Sequence, residues 1–418
     1  MGEDSIVAED VRPEAAQTFF PLKFLLYLLY RIVRTIILLE SDFVAAFKRL
    51  CTCECCDVEF LHILTRFRLD PTDRPNAVDF LAFHDGFGDF SEILHPDWLI
   101  YDIDDTFVYL AKLPDTSHLL TADTCCRMGD ELFASGEKLA RVRLETFIER
   151  SGRLPPFASR VVFLHLPPCS GGTTVARMLQ ACDPTYQNLC VYGEPPVTTS
   201  LACLIDELPV ELLKRLTLAT LRHALHHQKN DQTIVYKCRF NSGRLIPFIH
   251  ATVPSVLHCL VGTRAPDIAV SKLMLRAGQQ TNFFQIISRM REEFRWISDK
   301  ISSWPQMQLR AVQQVGPKDA FEMAAALFIG SQLVLERCLP YLAIDPICFE
   351  ELMSDTARLF GPLADLCELT DLHIPEAIAW KRSSSHEWRD NWDLCILDER
   401  QLRRLEQLHE LLLGDWSL

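Results

Sequence analysis

The chain has 418 residues, 48% of them hydrophobic, sixteen cysteines and a formal net charge of -14. That length and apolar content allow a large buried core in about two units. The acidic balance speaks against general nucleic-acid binding, which needs a basic field to meet phosphates. The cysteines and the absence of any Asn-x-Ser/Thr sequon fit reduced thiols in a cytoplasmic setting.

Residues 1–56 read as an acidic tail followed by an amphipathic helix. The apolar run Phe19 to Leu39 is broken by Pro21, Lys23, Arg31 and Arg34, so it holds no clean stretch of about 18–20 residues for a spanning helix. At about 100° per residue, Lys23, Arg31 and Arg34 share one face with Tyr27 and Tyr30, opposite a Leu, Ile and Phe face. The expected arrangement is a helix packed on the body with its basic face in water. The same pattern suits a peripheral membrane contact through residues 19–39, and a Golgi-type signal anchor is a third use of it. Four cysteines crowd into residues 51–56 without a second Cys or His pair at metal-binding spacing, so no metal is expected there.

Residues 57–157 read as a small α+β unit. Trp98 to Lys112 predicts a β-hairpin turning at Asp104-Asp105. A long helix is expected from Asp123 to Arg150, stopped by Gly152. Residues 158–418 then alternate strand and helix. The strands are Arg160 to His165, Leu189 to Tyr192, Thr233 to Cys238 and Leu257 to Thr263, with later helices over residues 284–302, 318–340 and 398–413. The predicted fold class is α/β: a three-layer, P-loop-like parallel sheet flanked by helices, with an N-terminal α+β extension. Trp296, Trp304 and the Trp380 to Trp392 group are candidates for an acceptor pocket or for ordinary core packing.

The richest stretch is residues 160–177, an apolar strand running into a Pro, Gly, Ser and Thr turn and then a helical pattern. Gly171 and Gly172 tolerate positive φ and let backbone N–H groups converge on an anion, with the start of the helix adding its dipole. Ser170, Thr173 and Thr174 add hydroxyl donors. No lysine occurs between Arg153 and Asp183, so a nucleoside triphosphatase loop, which needs Gly-Lys-Ser/Thr, is a poor match. In a parallel sheet, ligands sit at the carboxyl ends of the strands. That edge would hold both the Gly171 turn and Arg264, which follows Leu257 to Thr263.

Taken together these segments resemble the sulfotransferases that use 3'-phosphoadenosine-5'-phosphosulfate (PAPS). Pro168-Cys169-Ser170-Gly171-Gly172-Thr173-Thr174 is similar to their 5'-phosphosulfate loop. Arg264, Pro266 and Ser271 are similar to their 3'-phosphate element, although the interval from arginine to serine is one residue short and Lys272 takes the usual offset. Thr252-Val253-Pro254 stands where the family has its Phe-Pro segment, and Gly193-Glu194 is similar to the Gly-Glu pair of tyrosylprotein-type members. The resemblance covers residues 158 to 345. It implies PAPS as co-substrate, a hydroxyl acceptor, Glu194 as base, and Lys237 or Arg239 as the assisting cation. It further implies nucleotide contacts from Ser170, Gly171, Gly172, Thr173, Thr174, Arg264, and Ser271 or Lys272. The departure is Cys169, which replaces the basic residue of the family loop and cannot steady a leaving group. A divergent, non-catalytic member that keeps the nucleotide is therefore the alternative, as is a membrane-apposed interaction protein. Glu194 also reads as a helix-capping carboxylate before Pro195-Pro196, Lys237 as a surface lysine at a strand end, and His165 as a buried, hydrogen-bonded core histidine.

Overall fold

The computed structural model describes residues 13–52, 57–116, 127–229, 231–278, 301–369, 374–383 and 397–415. Two five-stranded sheets organise them. The first is antiparallel, in the order β2-β1-β5-β4-β3, built from β1 (Val58–Arg66), β2 (Phe80–Gly88), β3 (Trp98–Ile103), β4 (Phe107–Lys112) and β5 (Lys138–Arg143). The second is parallel, in the order β10-β9-β6-β8-β7, built from β6 (Arg160–His165), β7 (Leu189–Gly193), β8 (Thr233–Lys237), β9 (Leu257–Gly262) and β10 (Ile347–Cys348). The α/β class with a parallel sheet and an N-terminal extension is thus observed.

Side chains alternate across the parallel strands, so each face builds its own core. Val162, Leu164, Val191 and Val235 pack under the helix that follows β6 and under the C-terminal helices. Phe163, Cys190, Ile234 and Tyr236 face the other way. They share one core with α3 (Leu144–Gly152), α5 (Pro196–Leu204), α6 (Val210–Leu225) and the inner face of the antiparallel sheet. The helix Ala320–Arg337 carries a further core, on which the helix Glu399–Asp415 docks through Leu405, Leu408 and Leu412.

The hairpin forms where expected. Asp104 Oδ1 accepts from the N–H groups of Thr106 at 2.8 Å and Phe107 at 2.6 Å, which closes the turn between β3 and β4. The single long helix from 123 to 150 does not form. In its place stand α2 (Met128–Ser135), β5 and α3, while residues 123–126 lie outside the described residues. Leu139 and Ala140 are locally compatible with helix, but β5 is a central strand paired on both sides, with β1 and with β4. Tertiary pairing overrides local propensity here. Residues 284–300 of the helix expected over 284–302, with Trp296, and the Cys53 to Cys56 cluster also lie outside the described residues.

The first helix, α1 (Pro13–Thr52), packs against β2 with the opposite face from the one expected. Tyr27 and Tyr30 are buried against Phe67. The Tyr30 hydroxyl donates to Val78 O at 3.0 Å, and Arg34 donates to Phe80 O at 2.9 Å and Ala77 O at 3.0 Å. The connection from β1 to β2 ends in carbonyls that need donors, and the Tyr and Arg face supplies them. The Leu, Ile and Phe face consequently points outward. No helix among the described residues is long and apolar enough to cross a membrane.

Candidate active site

Three parallel strands end level with one another. Leu164 of β6 lies beside Lys237 of β8, and Lys237 beside Gly193 of β7; β9 flanks β6 on its other side. The residues that follow these strands therefore open onto one edge. In strand order they are Arg264, the Gly171 turn, Lys237 and Glu194, four positions spread over about 15 Å at about 4.8 Å per strand.

The turn after β6 takes two left-handed residues, Cys169 at φ 59° and Gly171 at φ 82°. Gly171 caps α4 (Gly172–Cys182). A Cβ at Gly171 would collide with the Phe349 ring, so the residue must be glycine for both conformation and space. Helix geometry leaves the N–H groups of Gly172, Thr173 and Thr174 without intrahelical acceptors. Ser170 is buried beneath them, and Thr173 and Thr174 are half-exposed. Cys169 packs against the core around the helix Ala320–Arg337.

Arg264 borders the same short segment that Gly171 touches. Its N–H donates to Glu350 Oε2 at 3.1 Å, and its guanidinium lies 2.5 Å from Glu351 Oε1 while remaining largely exposed. Gly171 meets Phe349, so the glycine turn and Arg264 converge on Phe349–Glu351. On α8 (Pro266–Gly278), Ser271 is buried and Lys272 half-buried. Only the lysine of this pair keeps appreciable solvent access.

Glu194 and Lys237 form the centre of the other half. Lys237 Nζ donates to Glu194 Oε1, and the Glu194 N–H donates to Lys237 O at 2.7 Å. Glu194 has φ 46°, a conformation a non-glycine residue holds only when its surroundings impose it. Burial alone would raise its carboxyl, but Lys237, Arg239 and Arg127 together push it down to about 2. Its side chain does not cap α5, which has Pro195 at its N-cap and no side-chain cap bond. Lys237 is buried, not a surface lysine. Arg239 donates to Thr72 O at 2.5 Å and lies over the ring of Trp304, 5.0 Å from its centroid.

The sequence reading missed the contribution of the antiparallel half. The connection from β1 to β2 leans over the carboxyl edge, where Trp304 Nε1 donates to Asp70 Oδ2 at 2.9 Å and Ser303 N donates to Asp73 Oδ2 at 3.0 Å. A cleft results, lined by Thr72, Asp73, Arg127, Asp130, Glu194 and Arg239. Asp70-Pro71-Thr72-Asp73-Arg74-Pro75 announces a turn, yet nothing in it names the strand edge it will cover. Trp304 backs the cleft residue Arg239, whereas Trp380 packs on the far face of the sheet. His165 is buried beneath the edge and hydrogen-bonded through Nε2 to His258 Nδ1 at 3.0 Å.

No protein-family model matches the chain, and no curated protein matches it. Solved structures that it is similar to include sulfotransferases. One from Alicyclobacillus acidocaldarius is 10% identical over 62% of this chain and 92% of its own, with a TM-score of 0.34. One from Mycobacterium avium is 11% identical over 66% of this chain and 82% of its own, with a TM-score of 0.34. The sulfotransferase domain of a Synechococcus olefin synthase is 11% identical over 63% of this chain and 99% of its own, with a TM-score of 0.32. At these scores no residue is carried over from them, and the site rests on this chain's own geometry.

Proposed function

We propose that the protein moves a sulfuryl group from PAPS to an acceptor hydroxyl. The observation that carries this reading is the order along the carboxyl edge: an arginine, a glycine turn opening a helix, a buried lysine and a carboxylate. A doubly phosphorylated adenosine laid along that edge puts its 3'-phosphate at Arg264, which exchanges Glu351 for the phosphate, with Lys272 as the next cation on α8. The 5'-phosphosulfate then falls on Ser170, Gly171, Gly172, Thr173 and Thr174, where free N–H groups and the helix dipole favour an anion. The sulfuryl end points toward Lys237 and Glu194.

In this reading the acceptor hydroxyl loses its proton to Glu194 as its oxygen attacks sulfur. The new S–O bond forms in line with the breaking bond to the 5'-phosphate, which leaves as adenosine 3',5'-bisphosphate. Lys237, Arg239 and Arg127 hold Glu194 acidic, so turning Lys237 to the sulfuryl and leaving oxygens makes the carboxylate a better base. That movement gives Lys237 the role that Cys169 cannot fill, and it couples arrival of the donor to activation of the base. The cleft between Thr72, Arg127 and Glu194 has room for little more than a water, so it has to widen before an acceptor reaches the carboxylate.

Calorimetry with adenosine 3',5'-bisphosphate and adenosine 5'-phosphate tests the nucleotide half. Arg264→Ala is expected to weaken the bisphosphate by about tenfold more than the monophosphate, the loss of one charge-assisted contact; equal losses would remove Arg264 from the 3'-site. Labelled sulfate transfer to a broad panel of hydroxyl acceptors tests the chemistry. Glu194→Gln should bind the bisphosphate as wild type does and transfer at least 100-fold more slowly, on the order expected for a lost general base. Cys169 favours a second reading, a nucleotide-binding relative without catalysis. Tight binding with wild type and variant equally inert across the panel would select it.

A further inference from the structure

The outward face of α1 carries an unbroken seven-residue repeat. Leu25, Ile32, Leu39 and Ala46 form one set, and Leu29, Ile36, Phe43 and Leu50 the other, in alternating steps of four and three residues. All eight are exposed, and the large ones range from 56% at Leu29 to 81% at Leu50. The seam runs about 39 Å along the helix. A straight helix drifts away from a 3.5-residue repeat by about 20° per heptad, so only a partner helix that supercoils with it keeps such a seam in contact.

We infer that α1 is a self-association helix, and that a second copy of this chain covers its seam. A lipid surface fits the same face poorly. Bilayers impose no 3.5-residue register, and a surface-lying helix keeps its basic residues beside the apolar stripe. Here Arg34 is turned inward to backbone carbonyls, Arg31 to the Tyr27 hydroxyl and Arg49 onto the Phe87 ring, while exposed Lys48 at the end of the helix is matched by Glu40 on the outward face and the chain as a whole is at -14. A copy of the same helix needs no complementary charge, because the seam contains none. Asp42 at its margin is already neutralised by Arg141 at 2.6 Å. With Leu22, Leu26, Leu28, Val33 and Phe47 alongside, the exposed apolar face reaches roughly 1,000 Å², beyond the largest patch of a typical monomer and comparable with the roughly 800 Å² per partner of a stable interface. The contact is isologous, each copy presenting the same residues to the other.

Sedimentation velocity on the full chain, with flotation on neutral and anionic phospholipid vesicles run in parallel, decides it. Wild type is expected at twice the chain mass and the Ile32→Glu/Ile36→Glu/Leu39→Glu variant at one chain mass, with its melting by circular dichroism still cooperative because these side chains are largely exposed in the monomer. Should that variant fail to fold, Leu25→Ser/Phe43→Ser takes its place with the same two readings. A monomeric wild type, or a dimer that survives the substitutions, overturns the inference. So does a monomer that floats with vesicles and loses that behaviour in the variant, which would give the seam to a bilayer instead.

Discussion

At Gly171 two separate demands fall on one residue. The turn needs a left-handed conformation there, and the Phe349 ring occupies the space a side chain would take. Gly316 offers the comparison, because it is also left-handed, at φ 56°, but has no atom within 4 Å of a built Cβ. Gly316→Ala should cost about 1–2 kcal/mol for the conformation alone. Gly171→Ala should cost about 2–4 kcal/mol, the excess coming from overpacking against Phe349; urea denaturation of the two variants measures both, and equal losses would mean that the ring simply moves aside. Glu194 illustrates the same economy of placement. Its backbone and its carboxylate both engage Lys237, so one strand pairing fixes carboxylate and ammonium together.

Among the elements, α1 shows how a helix can read clearly in sequence and still be docked the other way round. Period and face were legible from residues 19–39, but which face meets the body depends on carbonyls supplied from residues 77–80. Arg34→Ala takes the side-chain donor from the Phe80 carbonyl and one of two donors from the Ala77 carbonyl, which still accepts from the Phe80 N–H, in a half-buried setting. A loss of about 1–3 kcal/mol in folding stability is expected, read as a lowered melting midpoint. An unchanged midpoint would mean that water replaces the guanidinium at no cost. β5 makes the complementary point: its residues suit a helix, and two neighbouring strands decide otherwise.

Across the whole molecule, buried histidines draw stability down in acid, while the Asp70 and Asp79 carboxyls, raised by burial, work in the opposite sense. Burial, and the neighbouring His258, hold His165 well below the usual histidine range; burial takes His258 down to about 4 and His223 down to about 3. These groups stay neutral in the fold and take up protons in the unfolded chain below about pH 6.5. The unfolded state therefore binds more protons as pH falls from 6.5 toward 4, and stability drops by up to about 1.4 kcal/mol per pH unit for each histidine. Glu194, down at about 2 against an ordinary 4.5, withdraws its contribution only between those two values. Urea midpoints at pH 7.5 and 5.5 should differ in favour of the higher pH by less in His223→Gln than in wild type, and an equal difference in the two would contradict neutral burial of His223. The sequence by itself determined the parallel-sheet class, the glycine turn and the hairpin, because strand periodicity and turn chemistry are local. Only the tertiary structure decided that Lys237 closes on Glu194, that Thr72 and Arg127 roof the cleft, and that the apolar seam of α1 faces outward. Each of those depends on groups brought together from distant segments, whose pairing no short-range pattern records.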